Sequence, residues 1–279
     1  MRKTWMITGS SVGLGRAIVE AALARGDRVV ATARNPSALD ELAARHPETL
    51  HRLALDVGNR EAWTRAIDGA VAHVGSIDVL VNNAGYGAVG SIEDTPLDVI
   101  GDLINTNLMG TIHACQSVLP IMRGQGHGRI ILISSIGARI ATPGAGVYYA
   151  SKAAVSALAE SLALETAALG IRVTAIEPGG MRTRFAEASS LKITPWNAAY
   201  DATVGATVAA MTSPDYASHL GDPRGHAALV LQVADLDCPP TRILAGEDAV
   251  NFAREAAETQ ALLDDLWSDL ALSPTSSAM

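Results

Sequence analysis

Residues 4–15 read Thr4-Trp5-Met6-Ile7-Thr8-Gly9-Ser10-Ser11-Val12-Gly13-Leu14-Gly15. A short apolar run leads into glycines spaced GxxxGxG, and an alanine-rich helical pattern follows from Leu14 to Ala24. An unbroken apolar run is what a strand buried on both faces shows. Glycines let the backbone turn tightly and come close to a bound group. A helix start offers unpaired N–H groups and the positive end of its dipole. Strand, glycine turn and helix in this order predict an α/β fold. Gly9, Ser11, Gly13, Leu14 and Gly15 then form a pyrophosphate-type anion site where the first strand ends. Taken alone, the same residues would also serve as a plain tight turn.

Working outward, further short apolar runs recur at Val29-Val30-Ala31, Leu53-Ala54-Leu55, Asp78-Val79-Leu80-Val81, Ile130 to Ile133, Val173 to Ile176 and Ile243-Leu244. Helical patterns lie between them, at Leu39 to Ala44, Arg60 to Val74 and Val147 to Leu169. This alternation predicts a Rossmann-type doubly wound parallel sheet of about seven strands, with right-handed crossovers and helices on both faces. Residues 1–279 are expected to form one domain. The stretch 185–222 is rich in Ala, Ser, Thr and Pro with weak periodicity. It reads as a substrate lid, with an ordinary surface excursion as the plainer alternative. A helix from Glu247 to Leu270 and a frayed tail from Ser273 make up 247–279. Gly85-Tyr86-Gly87-Ala88-Val89-Gly90 also matches a dinucleotide-type spacing, GxGxxG. The polar, turn-like stretch Ser91 to Pro96 follows it in place of a helix, so it is rejected as the primary pyrophosphate site.

Composition narrows the function. The chain is 48% hydrophobic but only 4% aromatic, so Ala, Val, Leu and Ile must build the core. A net charge of −8 without a basic stripe argues against nucleic acid as a partner. Cys115 and Cys238 have neither CxxC nor metal-like spacing, which favours a reducing compartment, read here as the cytoplasm. His113, His127, His219 and His226 show no metal spacing, and no bound metal is expected. No apolar run approaches the ~18 residues of a membrane helix. The GxSxG nucleophile motif of serine hydrolases is absent.

The second strand ends Ala31-Thr32-Ala33-Arg34. An NAD-type site places an acid here for the ribose 2′-hydroxyl, and none is present. Arg34 would instead pair with a 2′-phosphate, which favours NADP(H) over NAD(H). A solvated surface arginine is the alternative reading.

Taken together, Thr8-Gly9…Gly13-Leu14-Gly15, Asn82-Asn83-Ala84-Gly85, Ser135, Tyr148…Lys152 and Pro178-Gly179…Thr183 resemble the short-chain dehydrogenases/reductases. The segments stand in that family's order over roughly the first two-thirds of the chain. The extended branch, with different glycine spacing and longer chains, fits less well. The resemblance implies an oxidoreductase acting on CH–OH or C=O groups of a small molecule with a nicotinamide cofactor. It makes Tyr148 the acid/base, and gives Lys152 a hold on the nicotinamide ribose hydroxyls. A neighbouring ammonium would lower the phenol's pKa from its usual value near ~10. Ser135 would hydrogen-bond the reacting oxygen, with Ser134 the adjacent alternative. Asn107 would help hold a water that relays protons from the lysine, with Asn105 the competitor. By the same resemblance Asp56 and Val57 meet adenine, Asn83, Ala84 and Gly85 line the adenosine ribose side, and Pro178, Gly179, Met181 and Thr183 meet the nicotinamide amide.

Val89, Ile136, Met181, Phe185 and Trp196 are candidates for an apolar substrate wall, which points to a hydrophobic ketone or secondary alcohol. Ordinary core or lid packing is the competing reading. A non-catalytic NADP(H) sensor is the alternative function. Small residues at Ala153, Ala154, Ala157 and Ala163 suit close helix contact and favour a homodimer.

Overall fold

The structure, a computed structural model, describes residues 2–182, 191–213 and 220–275. Among these the element order is β1 Thr4–Ile7, α1 Gly13–Ala24, β2 Arg28–Ala33, α2 Asp40–Arg45, β3 Leu50–Ala54, α3 Arg60–Val74, β4 Val79–Asn82, β5 Gly87–Val89, α4 Leu97–Ile104, α5 Gly110–Gln125, β6 Gly128–Ile133, α6 Gly146–Thr166, β7 Ile171–Pro178, β8 Leu191–Ile193, α7 Ala206–Thr212, α8 Pro223–Asp235, β9 Arg242–Ala245, α9 Glu247–Leu266 and α10 Ser268–Leu272. The main sheet has seven strands in the order β3-β2-β1-β4-β6-β7-β9, all parallel. It is the Rossmann-type doubly wound sheet that the alternation predicts.

Residues alternate between the two faces along each strand, as the period of two requires. Met6, Val30, Leu80, Ile130 and Leu132 pack under α3, α5 and α6. Trp5, Ile7, Val29, Val79, Val81 and Ile131 pack under α1, α2 and α8. Both faces are therefore covered, and the strands read as apolar runs without polar alternation. The strand order reverses between β1 and β4, which opens a crevice beyond their carboxyl ends. No helix among the described residues is long and apolar enough to cross a membrane.

Three details differ from expectation. The third strand starts earlier, at Leu50, and stops before Leu55. It is the sheet edge, and its half-exposed His51 and Arg52 break the apolar pattern. A second sheet pairs β5 with β8 in parallel, joining the Gly85–Gly90 segment to the 185–222 stretch. That stretch is also more regular than its periodicity suggests, with α7 and short turns at Ala198–Tyr200 and Asp201–Gly205. No helix follows Gly90 directly, and α4 opens only at Leu97.

Candidate active site

The glycine loop joins β1 to α1. Gly9 and Gly13 have φ of +66° and +60°, a region that side-chain-bearing residues seldom occupy. A Cβ on Gly15 would lie 2.3 Å from the Gly9 carbonyl oxygen, so the turn closes only around glycine. Thr8 Oγ1 accepts the N–H groups of Asn83 (2.9 Å) and Ala84 (3.0 Å). The Asn83 side-chain amide donates back to the Thr8 and Gly9 carbonyls. These bonds stitch the ends of β1 and β4 together and hold the loop open. Val12, at the N-cap of α1, supplies no capping side chain, and the first turn carries no acid. The N–H groups of that turn are left for an external anion, and a dinucleotide pyrophosphate fits this need.

A cleft of about 850 Å³ runs from this loop across the sheet edge. Arg34, Asp56 and Val57 line it at the ends of β2 and β3; Ser135, Tyr148 and Lys152 line it beyond β6. Gly9, Ser11, Gly13, Leu14, Asn83, Ala84, Gly85, Pro178, Gly179 and Met181 complete the set that the sequence brings to this surface. Gly15 lies beneath it, and Thr183 lies outside the described residues.

Tyr148 and Lys152 sit one turn apart on α6. The lysine Nζ is 5.9 Å from the tyrosine ring centroid. Lys152 is only 6% exposed, and its Nζ donates to the Ile133 carbonyl at 2.9 Å. Burial lowers its pKa from 10.5 to about 8. Ser135 caps the short turn Ile136–Ala138, its Oγ accepting the Gly137 N–H at 3.0 Å. That leaves the hydroxyl hydrogen to donate elsewhere. Ser134 differs, because its Oγ donates to the Lys152 carbonyl at 2.8 Å and so faces α6.

Asn107 lies in a widened π-helical turn, Asn105–Met109, between α4 and α5. Such turns displace a residue from the regular helical register. Its side chain is buried below the cleft. Nδ2 donates to the Tyr86 carbonyl (2.9 Å) and Ser151 Oγ (3.0 Å), and Oδ1 accepts the Tyr86 N–H (3.0 Å). Asn107 therefore fixes the segment that carries Gly85, where a Cβ would stand 3.4 Å from Lys152 Nζ. Asn105, the competitor, lines the cleft near Gly58.

The substrate-wall expectation needs correction. Of its members, Met181 reaches the cleft lining and Val89, Ile136 and Trp196 do not, while Phe185 lies outside the described residues. Ile136 packs against Ala249 and Ala253 of α9, and the Trp196 indole donates to Asp201. Val89 and Ile136 are buried in the core, while Trp196 is half-buried at the surface. Sequence reasoning missed Tyr86, Leu191, Lys192, Met211 and Leu220, which line the cleft from β8, α7 and nearby turns. Only the position of Tyr86, directly after Gly85, could have flagged one of them.

The family profile described as short chain dehydrogenase matches residues 3–193. The chain belongs to the short-chain dehydrogenase family. Oxidoreductase BOA17 of Botryotinia fuckeliana is 41% identical over 273 residues, covering 98% of this chain and 99% of that protein. A short-chain dehydrogenase from Streptomyces avermitilis superposes with a TM-score of 0.89 at 36% identity, over 97% of each chain. A family structure from Burkholderia phymatum in complex with NAD shares the fold, with a TM-score of 0.80 at 24% identity over 93% of this chain and 95% of that one. This short-chain dehydrogenase is thus an oxidoreductase with a Rossmann-type nucleotide-binding fold.

Proposed function

We propose that the protein transfers hydride between NADP(H) and a ketone or secondary alcohol, with Tyr148, Lys152, Ser135 and Asn107 as its catalytic set. The observation that carries this reading is the buried Lys152 beside Tyr148, in the cleft that begins at the glycine loop. The nicotinamide supplies or accepts the hydride when bound. Tyr148 exchanges the proton at its phenol oxygen with the substrate oxygen. The Lys152 ammonium lowers the free energy of the phenolate and offers donors to the ribose hydroxyls. Ser135 donates its hydroxyl hydrogen to the same substrate oxygen, where charge develops. Asn107, held by Tyr86 and Ser151, helps keep a water in reach of the lysine.

Arg34 at the cleft and Ala33 at the strand end support NADP(H), since no acid stands where a 2′-hydroxyl would need one. Leu191, Met211 and Leu220 bring apolar surface from the 185–222 stretch to the cleft, which supports a lid over a hydrophobic substrate. Cys115 and Cys238 are both free thiols, consistent with a cytoplasmic enzyme. Ala153 and Ala157, on the exposed face of α6, suit a homodimer. A panel of hydrophobic ketones and alcohols, read by NADPH oxidation or NADP+ reduction, tests the activity. Turnover of at least one member is expected. A panel without turnover, with cofactor bound, would favour the non-catalytic sensor.

A further inference from the structure

Glu177 is a fully buried carboxylate on β7 whose role the chemistry above leaves open. Its Oε2 accepts from Arg139 Nε at 2.5 Å, and its Oε1 from Arg242 Nε at 2.7 Å. Two guanidinium groups therefore satisfy its charge, as a buried carboxylate requires. Its remaining contact leads elsewhere. Ser156 Oγ stands 2.7 Å from Glu177 Oε1 and 2.9 Å from Ser134 Oγ, and shares its hydrogen between them. Ser134 in turn donates to the main-chain carbonyl of Lys152.

The ends of this path matter. Ser134 is the covalent neighbour of Ser135. Arg139 follows the short turn that Ser135 caps. Tyr148, Lys152 and Ser156 stand on three successive turns of α6. Glu177 thus ties the ends of β6 and β7, the Ser135 turn and the middle of α6 to one point. The lysine is bracketed from two sides, with its carbonyl held through Ser134 and its Nζ on Ile133.

We infer that Glu177, acting through Ser156 and Ser134, is a positioning residue that sets the spacing between Ser135 and the Tyr148–Lys152 turn. The inference rests on the catalytic assignment made above. Small errors in such spacing reduce chemistry far more than binding, because a displacement of 1 Å can lower a rate by about a hundredfold.

The test compares Glu177→Gln, Ser156→Ala and Tyr148→Phe in the full chain. Readouts are kcat with the best ketone of the panel, the Kd of NADPH from its fluorescence without substrate, and the Tm. Glu177→Gln should lose about tenfold or more in kcat, and Ser156→Ala about fivefold, with the Kd within about threefold of the parent. A role in stability alone would lower Tm and leave the kcat of the folded protein unchanged, which would overturn the inference. Parallel loss of kcat and NADPH binding would overturn it too, as general loosening of the site. If Glu177→Gln does not fold, Ser156→Ala decides by the same criteria. An inactive Tyr148→Phe beside fully active Glu177 and Ser156 variants sinks the positioning role and leaves the catalytic assignment standing. An active Tyr148→Phe removes both.

Discussion

Replacing Lys152 by methionine separates the thermodynamics of the site from its chemistry. Lys152 is 6% exposed, and burial brings its pKa from 10.5 to about 8. Between those two values the folded chain binds fewer protons than the unfolded chain, so stability rises with pH across that window. Below the lower value the whole penalty of the buried charge is present, and the gap amounts to roughly 3 kcal/mol of destabilisation at neutral pH. Lys152→Met removes the titration and keeps most of the volume. The loss of the bond to Ile133 adds an offset of its own, which depends little on pH. With Tyr148→Phe in both proteins, the one phenol that the ammonium is proposed to shift is gone, and the other ionisable groups cancel between variant and parent. The stability of the variant relative to the parent should therefore fall by roughly 2–3 kcal/mol between about pH 7 and about pH 10, as the parent's amine discharges. Urea denaturation of the cofactor-free protein, followed by the fluorescence of the buried Trp5 and Trp63, measures this difference. A difference that stays flat within about 0.5 kcal/mol across the window would refute the reasoning, because the amine would then be no harder to charge when folded.

Two further substitutions probe the cofactor end of the cleft. Arg34→Ala should raise the Kd of NADPH by about tenfold and leave that of NADH nearly unchanged; equal effects on the two would remove the 2′-phosphate role. Gly15→Ala places a Cβ 2.3 Å from a backbone oxygen that has no flexible end to yield, so it should weaken both cofactors by at least about tenfold and destabilise the chain by about 1–3 kcal/mol. Unchanged dinucleotide titrations for Gly15→Ala would show that the loop does not approach a ligand.

The parts of the fold that were legible in the sequence share a cause. Central parallel strands such as β1, β4 and β6 are buried on both faces, and their unbroken apolar runs announce them. The glycine loop was legible because positive φ and close approach leave few other residues possible there. The edge strand β3 was misjudged because half of it faces solvent. The β5–β8 pair was missed because strands of three residues, separated by about a hundred positions, leave no period to detect. At the site, the spacing of Tyr148 and Lys152 is a local helical fact and could be read directly. The spacing to Tyr148 favours Ser135 over Ser134, whereas the direction each hydroxyl takes, such as that of Ser134 toward the Lys152 carbonyl, comes only from packing. Glu177 gave no signal at all, since its partners lie at 139, 156 and 242 and meet only through the sheet.

In the proposed mechanism Tyr148 moves the proton while the rest of the cleft holds the cofactor. Single-turnover NADPH oxidation by Tyr148→Phe, alongside an NADPH titration of the same protein, tests it most directly. Turnover should fall by at least about a thousandfold, with the NADPH Kd within about threefold of the parent. Turnover retained within about tenfold would contradict it, because the proton would then come from another group.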